Sequence, residues 1–396
     1  MQERRAEDVD WQHGRAAVYI FNAGEDVMQV ARDAYGLFQA ENGLGPLAFP
    51  SIRSMEEDII EIGLDLLHGP AGACGNMTSG GTESILLAVK TCRDQAASRG
   101  QDLSRANIVI PYSAHPAFDK ACHYFGLGLR RVPLGPDRRA DVAAMAEAAD
   151  GDTLMLVGSA PCFPYGLVDP IEALSQLALS RELWLHVDGC VGAYFLPFAR
   201  MNGVEVPSFD FELPGVASIS GDLHKYGYAS KGASTLFHRS EEQRAHQIFE
   251  CEDWPAGHMS TPTMAGTRPG GAIASAWAVV HYLGESGSRE KARQVCAARE
   301  KLTEGIARLP ELLTYGEPNL SIMLYGSESL DPFALYGRML KRGWFSGVVT
   351  DPRAVHLMLA PCHLEVADSY LADLESCVSE LRDQGGAESN GKARYN

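Results

Sequence analysis

The chain has 396 residues, of which 45% are hydrophobic, and its formal net charge at pH 7 is -17. This length is too great for one small core and suits a large α/β domain with a smaller second domain. The acidic balance argues against a general nucleic-acid or anionic-membrane binder, although it is compatible with a local basic pocket for a phosphorylated substrate.

An N-terminal arm over residues 1–50 precedes a region in which helices and strands alternate. Met55, Ile59, Ile62 and Leu66 recur at helical spacing between acidic residues, which predicts an amphipathic helix over 52–67. Further helices are predicted over 82–98, 115–124, 141–149 and 170–180, and strands over 107–110, 129–132, 153–157, 183–187, 216–220 and 233–238. Apolar strands that alternate with helices predict a mainly parallel sheet covered on both faces.

The segment Pro269-Gly270-Gly271 closes this predicted large domain, which spans residues 51–271. A long helix from about 272 to 285, resuming through 305, then leads into a smaller α+β domain over 272–384. That domain is predicted to contain strands near 320–324 and 355–359 and a helix over 364–382. Residues 385–396 are polar and rich in glycine, which favours a disordered tail.

Small residues lead directly into a predicted helix at Thr78-Ser79-Gly80-Gly81-Thr82-Glu83-Ser84. Such a segment leaves backbone N–H groups and the positive end of the helix dipole free to bind a phosphate. An ordinary helix start, with Ser79 or Thr82 as the cap, is an equally good interpretation of this segment alone. The segment is not a nucleotide P-loop, because no Gly-Lys-Ser/Thr follows at the required spacing.

Two later segments add a carboxylate and a lysine. Asp188 ends the apolar run 183–187, where a parallel strand would open onto a ligand crevice, although a lone carboxylate there is more often a helix cap. Lys225 follows the β-prone run 216–219 and is the candidate Schiff-base residue for a carbonyl cofactor, whereas most isolated lysines are solvated surface charges. A helix start for the phosphate, a carboxylate at a strand end beneath the ring and a lysine for the carbonyl group together meet the three requirements for binding pyridoxal phosphate.

These residues and their neighbours resemble the sphingosine 1-phosphate lyases, members of the pyridoxal phosphate-dependent family that also contains the group II amino acid decarboxylases. The likeness covers nearly the whole chain and is weakest after about residue 280. Besides the segment from Thr78, it is carried by residues 10–15 (Asp-Trp-Gln-His-Gly-Arg), 113–120, 159–166, 186–188, 224–227 and 260–271.

The resemblance implies the aspartate aminotransferase type of fold (fold type I), working as a homodimer with active sites at the subunit interface. It implies a lyase for a small-molecule amine, which opens the Cα–Cβ bond of a phosphorylated or otherwise anionic amino alcohol in a retro-aldol step. A phosphorylated substrate would yield a long-chain aldehyde and phosphoethanolamine. An amino acid decarboxylase is the alternative enzyme. A non-catalytic pyridoxal-binding regulator or scaffold is disfavoured, because Lys225, Asp188 and His115 are all retained.

The resemblance also assigns roles to individual residues. Lys225, Asp188 and His115 are implied as catalytic, with His115 stacked on the cofactor ring rather than lying at a surface helix start. The implied cofactor-binding residues are Ser79, Gly80, Gly81, Thr82, His115, Ser159, Asp188, His224, Lys225 and Thr267, the last reaching across from the partner subunit. Tyr19, Tyr165 and Lys231 match the substrate-phosphate group, although without the match they are equally well half-buried aromatics and a solvated lysine.

Two positions depart from the family pattern. Gly45 stands where a histidine that helps to bind the substrate phosphate is expected, and Met259 stands where a tyrosine is expected. Loss of a hydrogen bond to a charged group costs about 1.5 to 3 kcal/mol, enough to weaken binding about tenfold or more. The residues implied to bind the cofactor match the family pattern, whereas some of those implied to bind the substrate do not. This difference predicts a relative with changed substrate specificity.

The cysteines and the start of the chain bear on where the protein works. Nine cysteines are odd in number and form no Cys-x-x-Cys pair, which is typical of a reduced, cytoplasmic chain. Residues 1–10 are charged and no apolar run of about eighteen residues is present, so neither a secretory signal nor a membrane anchor is expected. The eukaryotic lyases carry an N-terminal membrane anchor, and this chain looks like a soluble form. No metal site is expected.

Overall fold

The helices and strands follow the order that the alternating pattern predicts. The computed structural model describes residues 2–5, 7–315 and 320–383. The helices are α1 (Gln2–Arg5), α2 (Glu25–Leu37), α3 (Pro50–Leu66), α4 (Gly81–Ser98), α5 (Ala117–Phe125), α6 (Val142–Ala148), α7 (Ile171–Ser180), α8 (Leu196–Met201), α9 (Glu241–Ala245), α10 (Gly270–Ile306), α11 (Pro332–Lys341) and α12 (His363–Asp383). The strands are β1 (Cys74–Thr78), β2 (Asn107–Pro111), β3 (Gly128–Val132), β4 (Thr153–Ser159), β5 (Trp184–Asp188), β6 (Val216–Gly221), β7 (Ser234–His238), β8 (Phe249–Cys251), β9 (Met259–Thr261), β10 (Leu313–Tyr315), β11 (Ile322–Gly326), β12 (Gly347–Thr350) and β13 (Arg353–Met358).

A seven-stranded sheet in the order β1-β7-β6-β5-β4-β2-β3 forms the centre of the molecule. Strands β6, β5, β4, β2 and β3 run parallel, whereas β7 is antiparallel to both β6 and β1. The register places Asp188 opposite Ser159 on one side and Ser220 on the other. The predicted mainly parallel sheet is confirmed, and the carboxyl ends of all its strands except β7 share one edge.

Side chains that alternate along the strands enter cores on opposite faces of this sheet. In β2, Ile108 and Ile110 join the cluster formed with α4 and α5, whereas Val109 joins the cluster that includes α7. In β4, Met155 and Leu156 divide in the same way. Because successive side chains of a strand point to opposite faces, a strand that is apolar throughout is buried on both sides.

The C-terminal part of the chain forms an antiparallel sheet in the order β10-β11-β13-β12. Helix α11 packs against β13, and α12 packs against α10 and α11 and contacts β11 through a hydrogen bond between the hydroxyls of Tyr370 and Tyr325. Strands β11 and β13 and helix α12 lie close to their predicted positions. The N-terminal arm joins this region, because Ala17 N donates to Phe345 O at 2.8 Å and Met358 N donates to Ala17 O at 2.7 Å. The predicted domain limits at 50/51 and 271/272 remain predictions.

Helix α10 connects the two sheets and contains the break that its sequence predicts. Its only non-helical residue is Gly284, with φ 55° and ψ -166°, next to the predicted interruption at 285. Backbone with positive φ is accessible to glycine at little cost, so the chain can change direction here and then resume its helix.

Several elements differ from the sequence prediction. The arm over 1–50 contains the unpredicted helix α2, which packs against α10. The helix predicted from 115 starts at Ala117, because the residue before Pro116 is disfavoured in helical backbone. Strand β1, with Gly75 and Asn76, has low β-propensity and forms through pairing with β7. The predicted tail 385–396 lies outside the described residues.

Candidate active site

Lys225 lies in a tight turn directly after β6. Its backbone N donates to Asp222 O at 3.1 Å, and its own carbonyl accepts from Tyr228 N at 3.0 Å. A Cβ on Gly227 would come within 2.6 Å of Leu223 O, so glycine is needed for this close approach. The turn therefore holds the lysine at the carboxyl edge of the sheet.

The ammonium group of Lys225 is paired with a buried carboxylate. Lys225 Nζ lies 3.0 Å from Asp222 Oδ2, and Asp222 is 3% exposed. Burial opposes the charge on Lys225, but the attraction of Asp222 and the smaller effects of Cys190 and Asp188 outweigh it, so the pKa of Lys225 is raised. The pKa of Asp222 is lowered although its burial acts in the opposite direction, chiefly because Lys225 and then His224 attract its charge.

Asp188 ends β5 at the same edge, as the sequence predicted, and is 8% exposed. Its Oδ1 accepts hydrogen bonds from Cys190 N at 3.1 Å and from Ser220 Oγ at 3.4 Å. These two contacts fix the orientation of the carboxylate at the end of its strand, where it faces the cavity that also contains Lys225.

His115 lies across the cavity from this edge, just before α5. Its Nδ1 accepts a hydrogen bond from Ala117 N at 3.1 Å, which restrains the ring. Burial lowers the pKa of His115, and the opposing attraction of Asp188 does not compensate. The imidazole is therefore neutral at pH 7, with its proton on Nε2 when Nδ1 accepts.

The residues Ser79, Gly80, Gly81 and Thr82 form the turn from β1 into α4. The first backbone N–H groups of a helix have no partner within the helix, and the helix dipole places positive potential there. A Cβ on Gly81 would come within 2.7 Å of Cys190 Sγ and 2.9 Å of Asp222 Oδ2, whereas a Cβ on Gly80 would meet nothing nearer than His224 Cε1 at 3.5 Å. Gly81 is thus the position at which the helix start approaches the cavity floor most closely.

Glu83 fastens this helix start to a neighbouring loop. The carboxylate is 8% exposed, and its oxygens accept from Ser79 N at 2.6 Å and from Met264 N at 2.8 Å. Glu83 is therefore not a cofactor ligand by geometry. Glu83 holds the turn at the start of α4 in place and attaches it to the loop that carries Thr267.

These elements enclose a cavity of about 400 Å³. Among the residues that the sequence predicted, the lining contains Ser79, Gly80, Gly81, Thr82, His115, Asp188, His224 and Lys225. The buried His224 has its pKa lowered to about 4 because burial penalises its charged form. The structure thus brings together groups that are separated by almost 150 positions in the sequence.

Five predicted residues lie outside this lining, namely Ser159, Thr267, Tyr19, Tyr165 and Lys231. Ser159 is 1% exposed and sits beside Asp188 in the register, and Thr267 is exposed on the loop before α10. Tyr19 is 43% exposed, with its ring 6.2 Å from that of Phe345. Tyr165 is 7% exposed, beneath the guanidinium of Arg138 at 5.6 Å.

Lys231 lies next to the cavity rather than in its lining. Its Nζ donates to His224 O at 3.1 Å and lies 5.0 Å from the ring centre of Phe21. Although the Lys231 residue is exposed, the protein atoms around Nζ reduce its solvation, and this effect followed by repulsion from Lys225 lowers the pKa of Lys231 to about 8. A lysine with this pKa is cationic at pH 7 and gains from the approach of an anion.

Three residues that line the cavity, Asp222, Cys190 and Phe163, were not predicted as site residues from the sequence. Asp222 could have been found from its spacing, because a carboxylate three residues before the lysine in a turn is within reach of the ammonium. Cys190 was counted only as a reduced thiol, yet its Sγ donates to Ser220 Oγ at 3.3 Å and lines the cavity floor. Phe163 carries no signal in the sequence, since only the fold brings it to the site.

A separate cluster outside the cavity combines His68, Asp210 and Glu212. Arg200 lies within 3.9 Å of Asp210 and 3.7 Å of Glu212, so a guanidinium already compensates these carboxylates. The cluster is therefore explained as an ion-pair network. Among the helices in residues 2–5, 7–315 and 320–383, none combines the length and apolar character needed to cross a membrane.

The cavity residues fit pyridoxal phosphate. Asp222 Oδ1 and His224 Nδ1 are buried without a hydrogen-bond partner among the described residues, which is a cost that a bound polar group relieves. A helix start suits the phosphate, Lys225 the aldehyde, Asp188 the pyridine nitrogen and the imidazole of His115 the ring. Fold and site together define an α/β enzyme of the pyridoxal phosphate class.

Comparison with known sequences gives the family. Residues 8–323 match the conserved domain of the pyridoxal-dependent decarboxylases. The chain is 40% identical to the sphingosine-1-phosphate lyase of Arabidopsis thaliana, over 99% of this chain and 73% of the relative, and 38% identical to sphingosine-1-phosphate lyase 1 of Mus musculus, over 99% and 69%. The chain belongs to the pyridoxal-dependent decarboxylase family, and it is a pyridoxal phosphate-dependent lyase.

Solved structures agree on the fold. The sphingosine-1-phosphate lyase of Burkholderia pseudomallei superposes with a TM-score of 0.90 at 37% identity, covering 94% of this chain and 88% of that chain. Glutamate decarboxylase of Lactobacillus brevis superposes with a TM-score of 0.84 at 19% identity, covering 98% and 92%, and shares the fold alone. The predicted fold type I architecture and the predicted cofactor are confirmed.

Proposed function

We propose that this lyase cleaves the Cα–Cβ bond of a phosphorylated or otherwise anionic amino alcohol. From a phosphorylated long-chain substrate it releases a long-chain aldehyde and phosphoethanolamine. The observation that carries the proposal is the identity of 38 to 40% with sphingosine-1-phosphate lyases over 99% of the chain. The solved relative from Burkholderia pseudomallei, which is 37% identical, is also a sphingosine-1-phosphate lyase.

Lys225 is proposed to bind the cofactor aldehyde through Nζ and, after the substrate amine displaces it, to carry a proton. When bound, pyridoxal phosphate supplies a sink for the electron pair released from a bond to Cα. Asp188 is proposed to hold the proton on the pyridine nitrogen, an assignment supported by its burial at a strand end and by the two contacts that fix its Oδ1. His115 is proposed to stack on the ring, since its imidazole is restrained in the cavity wall.

The cofactor phosphate is proposed to bind the backbone of Ser79 to Thr82 and the ring of His224, all of which line the cavity. Ser159 is also proposed to bind the cofactor, because the sheet register places it beside Asp188. Thr267 is proposed to act in the other subunit of a homodimer with shared active sites. Support comes from its exposure and from the exposed apolar residues on the same stretch, which are Phe249 (55%), Trp254 (54%) and Met264 (50%).

The substrate phosphate is proposed to meet Lys231, Tyr19 and Tyr165. Lys231 is the best supported of the three, because its Nζ is held at the backbone of His224 and so lies at the cavity edge. A charge-assisted hydrogen bond from an ammonium suits a phosphate, and phenolic O–H groups add donors.

A decarboxylase is the second candidate function. The chain is 33% identical to a probable L-tyrosine/L-aspartate decarboxylase of Methanothermobacter thermautotrophicus, over 87% of this chain and 93% of the relative. Gly45 also favours changed substrate recognition, because glycine offers no side-chain donor where a phosphate-binding histidine was expected.

Incubation of the purified, cofactor-loaded protein with both substrate classes tests these proposals. Amino alcohol phosphates are assayed for aldehyde, and amino acids are assayed for carbon dioxide. Aldehyde release that requires the phosphate group supports the lyase. Rapid release of carbon dioxide, with no aldehyde from any amino alcohol phosphate, would transfer the proposal to the decarboxylase.

We also propose a cytoplasmic location. All nine cysteines are free thiols, and Cys74, Cys92, Cys122, Cys162 and Cys190 are buried, so the fold uses them as small apolar residues. Fractionation of cells that express the tagged protein tests this, with recovery in the membrane or secreted fraction as the contrary result.

A further inference from the structure

A buried carboxylate lies beneath the start of α4 and contacts two groups of the turn after β6. Asp222 Oδ2 is 3.0 Å from Lys225 Nζ and 3.7 Å from His224 Nε2, while Asp222 Oδ1 is buried without a hydrogen-bond partner among the described residues. An ionised carboxylate in such a place is costly unless a cation compensates it. The lysine is the cation in direct contact.

We propose that Asp222 is a positioning residue, whose carboxylate holds the protonated Nζ of Lys225 on the cavity floor whenever that nitrogen is not bound to the cofactor. The inference rests on the proposed role of Lys225. Asp222, rather than the sequence-predicted carboxylate Asp188, is thus inferred to keep the lysine charged and fixed in place.

The geometry distinguishes the two carboxylates. Asp222 makes the direct ion pair, whereas the Oδ1 of Asp188 is occupied by Cys190 N and Ser220 Oγ. Asp222 is also the largest favourable influence on the charge of Lys225, ahead of Cys190 and Asp188. The titratable groups that interact with Lys225 from the surrounding elements are Asp222, His224, Asp188, Cys190, His115, Tyr226 and Lys231.

Gly81 fixes where this carboxylate can lie. A Cβ on Gly81 would approach Asp222 Oδ2 to 2.9 Å and Asp222 Oδ1 to 3.0 Å. Only glycine therefore lets the carboxylate rest beneath the positive end of α4, which itself favours the ionised form. The same helix end would attract the cofactor phosphate.

The test measures the protonation of Lys225 directly, in the full chain prepared without cofactor. Acetic anhydride acetylates only neutral amines, and mass spectrometry of the Lys225 peptide gives the rate as a function of pH. For Asp222→Asn we expect the midpoint to fall by one pH unit or more, which is about a tenfold faster reaction at any pH below it. Asp188→Asn is the matched control, and we expect a clearly smaller shift.

Two more variants separate charge from shape. Asp222→Glu keeps the charge and should restore much of the normal profile, whereas Gly81→Ala displaces the carboxylate and should lower the midpoint as Asp222→Asn does. If Asp222→Asn does not fold, as judged by near-ultraviolet circular dichroism, Gly81→Ala takes its place. An unchanged midpoint in the folded variant, or a larger shift in Asp188→Asn, overturns the inference.

Failure of the proposed function would look different. Reduction of the cofactor-loaded protein with borohydride shows which amine carries the cofactor, and attachment elsewhere would remove the role of Lys225. The acetylation profile would still report whether Asp222 controls its charge.

Discussion

The adjacent glycines at the start of α4, Gly80 and Gly81, give the sharpest prediction from the structure. A Cβ on Gly81 would approach Cys190 Sγ to 2.7 Å and the oxygens of Asp222 to 2.9 and 3.0 Å, so either the cavity floor or α4 must shift. Overpacking a filled site costs about 1 to 3 kcal/mol, which is about 5- to 150-fold in an equilibrium constant. We expect Gly81→Ala to lose affinity for pyridoxal phosphate within this range.

Gly80→Ala is the matched control at the neighbouring position. Its φ of 162° is extended backbone, and the nearest atom to the added Cβ would be His224 Cε1 at 3.5 Å, an ordinary contact. A tolerated Gly to Ala change alters stability by about 1 kcal/mol or less. Cofactor affinity is measured by titration of protein fluorescence, and stability by urea unfolding without cofactor. Equal affinities for the two variants would refute the reasoning about the cavity floor.

Three further predictions concern the remaining site residues. Asp188→Ala should bind the cofactor weakly and turn over little, as measured by absorbance titration and a steady-state assay, and unaltered turnover would contradict its assignment. Gly45→His should raise affinity for a phosphorylated substrate about tenfold without changing affinity for its unphosphorylated form, and a Cβ is tolerated at this position because its nearest atom would be Ala48 Cβ at 3.6 Å. Because the pKa of Lys231 is about 8, its cation is present below that pH and lost above it, so kcat/KM for a phosphorylated substrate should fall above about pH 8. Lys231→Arg should remove that fall, since a guanidinium stays protonated.

The large sheet could be predicted because most of its strands are recognisable from short, continuous segments of the sequence. Strands such as β4 are buried along their whole length and read as continuous apolar runs between helical segments. Strand β1 could not be predicted in this way, because Gly75 and Asn76 disfavour a strand and only pairing with β7 creates one. Helix α2 was missed in the same manner, since its main partner is the distant α10.

In the candidate site, too, some residues could be predicted from the sequence and others could not. Asp188 and Lys225 were found because each follows a recognisable strand, and the edge of a parallel sheet brings such ends together. Asp222, three residues before Lys225, could have been noticed from its spacing, but its burial and the 3.0 Å distance to Lys225 Nζ are known only from the structure. Phe163 reaches the cavity from the loop after β4, where its carbonyl accepts from His356 Nε2 at 2.8 Å, a contact between the two sheets.

The central claim is that Nζ of Lys225 is the atom that holds the cofactor. Reduction of the loaded protein with borohydride, followed by proteolysis and mass spectrometry, identifies the modified amine. We predict that the pyridoxyl group is found on Lys225 and is absent from the same peptide in Lys225→Ala. A pyridoxyl group on Lys231 or on any other amine of the wild-type chain would contradict the account.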